Sequence, residues 1–123
     1  MAIRIVRLGS PRAAREGLRL GTVRRPPRGV RKDDYAKRDY YDLWLPDLSP
    51  SAKLVAQAQK NWEGFAKAYR REMKAPAAGR LIELLAAMSQ HADFSVGCYC
   101  ESEERCHRSV LRELLSEHGA RLA

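Results

Sequence analysis

Apolar and polar positions alternate near the N-terminus. In Ala2 to Leu8, Ile3 and Ile5 flank Arg4, the period-two pattern of a strand with one buried face. Gly9 to Arg12 follows as a turn. Glu16 to Arg24 alternates again, with Leu18, Leu20 and Thr22 on one side and Arg19 and Gly21 on the other, and predicts a second short strand. A third strand is predicted in Ala92 to Cys100. Phe94, Val96, Cys98 and Cys100 take one side, and Ser95, Gly97 and Tyr99 the other.

Elsewhere the apolar period is that of a helix. Trp62, Phe65, Ala66, Tyr69 and Met73 fall at i, i+3, i+4, i+7 and i+11, one face of a helix over Trp62 to Lys74. Leu81, Leu84, Leu85 and Met88 mark another within Ala75 to His91, after the helix-breaking Pro76 and Gly79. A short helix is expected in "AKLVAQAQ", capped by Ser49 or Ser51. The last helix spans "SEERCHRSVLRELLSEHGARL", with Ser102 as N-cap, Glu103 and Glu104 in the first turn and Gly119 at the C′ position. The order is strand, strand, irregular loop, helices, strand, helix. Long helical stretches between strands favour one small α/β domain over residues 1–123, with a short, partly parallel sheet flanked by helices.

Charge adds an asymmetry to this picture. The net charge is +8. Residues 1–38 hold twelve Lys or Arg against Glu16, Asp33 and Asp34, and so carry +9. Within them, "RRPPRGVRKDD" (Arg24 to Asp34) forms no regular element, because Pro26 and Pro27 lack amide donors and Gly29 permits positive φ. The result is a stiff loop that presents Arg24, Arg25, Arg28, Arg31 and Lys32. Its partner is expected to be a polyanion, either a phosphate-bearing small molecule or nucleic acid. The plain alternative is a solvated basic surface. No apolar run approaches the ~20 residues of a membrane span, and "MAIRIVRLGSPRAAR" has no apolar h-region of a secretory signal. No membrane association is expected.

All three cysteines lie in "GCYCESEERCHR", Gly97 to Arg108, where a strand gives way to a helix. An odd, clustered set argues against a secreted disulfide framework and for a cytoplasmic setting. Ligands of open α/β sheets bind beyond the carboxyl ends of strands, and a helix start offers free amides to an anion. An anion cleft formed by Arg24, Arg28, Arg108 and His107 needs only that the first and last strands be neighbours. In the second reading the site is catalytic. Cys106, near a helix start and beside His107, is then the nucleophile or redox thiol, with Glu101 or His107 as proton acceptor. A zinc site is disfavoured by spacing. The first pair is C-x-C, and adjacent helical residues such as Cys106 and His107 diverge by ~100°. No metal or other cofactor is expected. In a third reading the protein is a structural or partner-binding module whose thiols pack as small apolar groups.

Four stretches together resemble the domain-of-unknown-function 488 family, in its short single-domain, YeaO-like branch. They are "RRPPRGVRKDD", "YDLWLPDLSPS", "WEGFAKAYRREM" and "GCYCESEERCHRSVLRELL", in the family's order and covering most of the chain. The matching positions are Cys98, Glu101, Cys106, His107 and Arg108, with Arg24, Pro27, Arg28, Gly29, Trp44, Pro50 and Ser51 in the N-terminal half. Val23 and Pro26 stand where the family has an acid and an aromatic. The Cys-Tyr-Cys start adds a thiol and sets Glu101 one place later. The resemblance implies a small α/β, Rossmann-like three-layer fold and supplies no reaction.

Overall fold

Four parallel strands form one sheet, in the order β1-β4-β2-β3. They are β1 (Ile3–Arg7), β2 (Leu18–Gly21), β3 (Leu43–Trp44) and β4 (Phe94–Cys98). The computed structural model describes residues 1–58, 60–101 and 105–123. The central β4 pairs on both sides, from Ile3↔Phe94 to Arg7↔Cys98 and from Leu18↔Phe94 to Gly21↔Gly97. All five of its residues are buried. The first and last strands are therefore neighbours, as the expected corner requires. β3 is a two-residue edge beside β2, at the end of the aromatic stretch Tyr40 to Trp44.

Four helices follow the expected periodicities: α1 (Ala52–Gln57), α2 (Trp62–Glu72), α3 (Pro76–Met88) and α4 (His107–Glu117). Their apolar stripes meet Ile3, Leu20, Phe94 and Val96 in one core. Phe65 and Tyr69 come from α2, Ile82 and Leu85 from α3, and Leu111 and Leu115 from α4. Pro76 occupies the first turn of α3, where its missing amide costs nothing. Asn61, absent from the expected caps, accepts a bond from Gly64 N at 3.1 Å and starts α2. Ser51 stands at the N-cap of α1, but its side chain makes no capping bond.

The other face of the sheet is covered by irregular chain, not by α-helix. Tyr35, Tyr40 and Tyr41, around the short 3₁₀ turn Lys32–Asp34, pack with Leu8 and Val23. Gly21 makes room for this layer, since a Cβ there would lie 2.4 Å from the Tyr41 ring. The architecture is thus a small three-layer α/β domain whose third layer is mostly loop.

Two boundaries differ from the sequence pattern. β4 stops at Cys98, so Cys100 leaves the sheet and is exposed. α4 begins only at His107, with Cys106 as an extended N-cap at φ −130°, ψ 150°. Ser102, Glu103 and Glu104, the expected cap and first turn, lie outside the described residues.

A candidate thiol site at the carboxyl ends of the strands

β2 and β4 end side by side, and their continuations form a corner. After β2 come Thr22, Val23 and Arg24, and after β4 come Tyr99 and Cys100. The start of α4 closes the third side. Between them lies an open cleft of about 370 Å³ whose lining includes Arg24, Arg25, Pro50, Cys98, Cys100 and His107. The arginine loop is pinned there by backbone carbonyls. Trp44 Nε1 donates to Val23 O at 2.7 Å, and the Tyr99 hydroxyl donates to Arg25 O at 2.9 Å. Arg24 and Arg25 are exposed and make no ion pair among the described residues. Arg28 is exposed too but does not line the cleft.

The three thiols converge. Their sulfurs all lie within 4.8 Å of one another. Cys98 and Cys106 are buried, and their sulfurs are 2.8 Å apart. Cys98 Sγ also accepts from Cys100 N at 3.4 Å. Hydrogen bonds from Cys106 and Cys98 push the Cys100 thiol down, with the charge of Arg108 acting the same way. Cys98 moves up, through its hydrogen bonds with Cys100 and Cys106 and through burial. Cys106 also moves up, chiefly through its hydrogen bond with Cys100.

His107 is buried beside them, its ring edge-on to Tyr69 with centroids 5.6 Å apart. Tyr69 is itself held by its hydroxyl, which donates to Leu48 O at 2.7 Å. Burial lowers the His107 pKa to about 4, so the imidazole is neutral near pH 7. Its Nε2 lies 2.7 Å from Thr22 O and 3.0 Å from Thr22 Oγ1. The carbonyl only accepts, and the hydroxyl donates its own proton to Gly97 O at 3.0 Å. Nε2 therefore carries the ring proton. Nδ1 keeps its lone pair, 3.7 Å from Cys106 Sγ.

Arg108 is only 3% exposed and stands behind the thiols, not in the cleft. Its Nη2 donates to Cys100 O at 2.7 Å. Among the described residues its Nε has no hydrogen-bond partner and no carboxylate pairs with it. Glu101 points away toward β1, where it meets Arg7 Nη2 at 3.6 Å with 87% of its side chain exposed.

Of the residues expected from sequence, Arg24 and His107 line the cleft, with Cys106 and Arg108 packed behind it. Arg28 and Glu101 stand outside this group. Sequence reasoning missed Thr22, which fixes the histidine tautomer, because it lies 85 positions from its partner. It also set Cys100 aside as strand packing. The available signal was Cys100's place beyond the last β-branched residue of the strand, next to a charged stretch.

Comparison with curated proteins and with solved structures returned no match. Residues 3–119 match the family model described as the active DUF488-N3 subclade. Nearly the whole chain is covered, and the protein belongs to the DUF488 family.

Proposed function

We propose that the protein is a thiol-dependent enzyme for an anionic, phosphate-bearing substrate, with Cys100 as the reactive thiol and Arg24 and Arg25 receiving the anion. The observation that carries this reading is the placement of one exposed thiol in the same cleft as two arginines that make no ion pair among the described residues. A thiolate is the nucleophilic form of cysteine, and a nearby cation favours it. The buried guanidinium of Arg108 has no carboxylate among the described residues, and a thiolate supplies the missing negative charge. Cys106, at 2% exposure, is placed to donate a hydrogen bond to that thiolate, so burial favours Cys100 over Cys106 for attack. The matched model's description as an active subclade agrees with a catalytic role.

The cleft volume of about 370 Å³ is at the small end of ligand pockets and suits a nucleotide or one nucleic-acid phosphate with its sugar. The test is alkylation of the metal-free, reduced protein by iodoacetamide at low salt. Cys100 is expected to react well ahead of Cys98 and Cys106. Pyrophosphate, nucleotides or short oligonucleotides are expected to slow it, and salt to restore it. Slow labelling of all three cysteines, or a Cys100 rate indifferent to every phosphate compound, overturns the reading.

A further inference from the structure

Folding removes the spacing objection to a metal. Along the chain, Cys106 and His107 read as neighbours on a helix that point apart. In the fold Cys106 is an extended N-cap, so its sulfur and the His107 ring turn to the same side, with Sγ and Nδ1 3.7 Å apart. The C-x-C pair no longer lies on one strand face either, because β4 ends at Cys98 and Cys100 folds back over it.

We propose that Cys98, Cys100 and Cys106, with His107 Nδ1 as fourth ligand, form a binding site for a soft divalent cation of the zinc class. The inference does not depend on Cys100 being catalytic. Three observations carry it. The three sulfurs lie within 4.8 Å of one another. The imidazole Nε2 lies 2.7 Å from Thr22 O, a group that only accepts, and its Nδ1 faces Cys106 Sγ at 3.7 Å. Metal-bound histidines are oriented by this kind of outer hydrogen bond to a carbonyl. Arg108, buried and without a carboxylate partner among the described residues, offsets the net negative charge that three thiolates leave around a divalent ion.

Tetrahedral S₃N ligation is the zinc arrangement, with metal–sulfur bonds of ~2.3 Å and metal–nitrogen bonds of ~2.0 Å. Sulfurs around such an ion stand about 3.8 Å apart. Uptake therefore widens the 2.8 Å contact of Cys98 and Cys106 and draws Cys100 inward. Exposure of Cys100 at the cleft gives the ion its way in. Binding takes all three sulfurs as thiolates, and it ties up Cys100. In the bound state the cleft has no free thiolate, so metal uptake and thiol chemistry exclude each other.

The test uses the full chain, reduced and stripped with a chelator. Zn²⁺ is titrated against a chromophoric chelator, and Co²⁺ serves as the spectroscopic probe. The expected result is one equivalent bound, with thiolate-to-cobalt charge-transfer bands, tetrahedral d–d bands and protection of all three cysteines from alkylation. Cys100→Ser, an exposed change that leaves the fold intact by circular dichroism, should weaken binding by about tenfold or more. His107→Gln should shift the Co²⁺ bands as a nitrogen ligand is lost. No binding by the wild type, or unchanged affinity in Cys100→Ser, overturns the proposal. Phosphate-sensitive labelling of Cys100 is measured in stripped protein, so failure of the metal site leaves the enzymatic reading standing, and the reverse also holds.

Discussion

Two polar clusters are buried against this sheet, and they are built in opposite ways. At the start of β2, Arg19 is fully enclosed and each of its side-chain nitrogens is bonded. Its Nε and Nη2 meet the Glu16 carboxylate at 2.7 and 2.9 Å, and its Nη1 donates to Ser10 O and Asp39 O at 2.8 and 2.7 Å. Ser95 Oγ completes the carboxylate at 2.8 Å. At the other end of the strands, the Cys98–Cys100–Cys106–His107 corner keeps an exposed cysteine, an imidazole Nδ1 met only by the Cys106 thiol at 3.7 Å and an arginine Nε without a partner, among the described residues. A satisfied buried network specifies one conformation and offers nothing to a ligand. A cluster with donor and acceptor capacity left over is where a ligand gains by binding. The first cluster ties the loop layer to the sheet, helped by Arg12 on Asp42 at 2.8 Å, and the second is the candidate site.

Cutting the closed cluster should have the largest effect. Arg19→Ala or Glu16→Ala leaves a buried charge unpaired, and about 3–5 kcal/mol of stability should be lost in urea unfolding. A loss under about 1 kcal/mol would remove the contrast between the clusters.

The two clusters should also part company in acid. Burial alone would raise the Glu16 pKa, but the bonds from Arg19, Ser95 and Ala13 bring it down to about 2. Its contribution is complete above the usual 4.5 and disappears as pH falls from there to about 2. His107 is held neutral, with its pKa near 4 against the usual 6.5. The unfolded chain takes up that proton first, so stability falls as pH drops from 6.5 toward 4. Each window is worth roughly 3 kcal/mol. Urea titrations across pH should show two separate declines, with Glu16→Gln flattening only the lower and His107→Gln only the upper. A single decline in the wild type would show that the clusters are not independent.

Thr22→Val should have a smaller effect. It removes the bond from Oγ1 to Gly97 O, and about 1 kcal/mol should be lost. His107 keeps its bond to Thr22 O, so the imidazole should hold its tautomer by nitrogen-15 NMR. The smallest stability change belongs to the open rim. Arg24→Ala, Arg25→Ala and Cys100→Ser should each stay within about 0.5 kcal/mol of wild type while altering Cys100 labelling or its response to phosphate. A large loss of stability at these positions would mean that the cleft is part of the scaffold.

Several features were legible along the chain. The alternation at Ile3 and Ile5 and the i, i+3, i+4 stripe from Trp62 to Met73 placed a strand and a helix, because each buries one face and the period reports that face directly. The corner after Gly97 was legible as a strand-to-helix junction. Its interior was not. The pattern extended β4 through Cys100 because a cysteine at an alternating position looks like strand packing, and it opened the last helix four residues before His107. Alternation placed Arg19 only on the side opposite Leu18, Leu20 and Thr22, and it is the most completely buried cation among the described residues. Alternation tells which side of a strand a residue takes but not what covers that side, and here the tyrosine layer covers it.

The sequence by itself determined the α/β class, the concentration of positive charge in one third of the chain and the gathering of every thiol beside a helix start. These are local properties, set by side-chain period, proline and glycine geometry and composition. Only the tertiary structure decided which thiol faces the cleft, that the three sulfurs share one small volume, and that His107 presents Nδ1 to them. Those facts depend on β4 lying between β1 and β2, which brings Thr22 against His107 across a separation of 85 positions. Contacts of such separation come from the packing of whole elements, and no spacing along the chain encodes them.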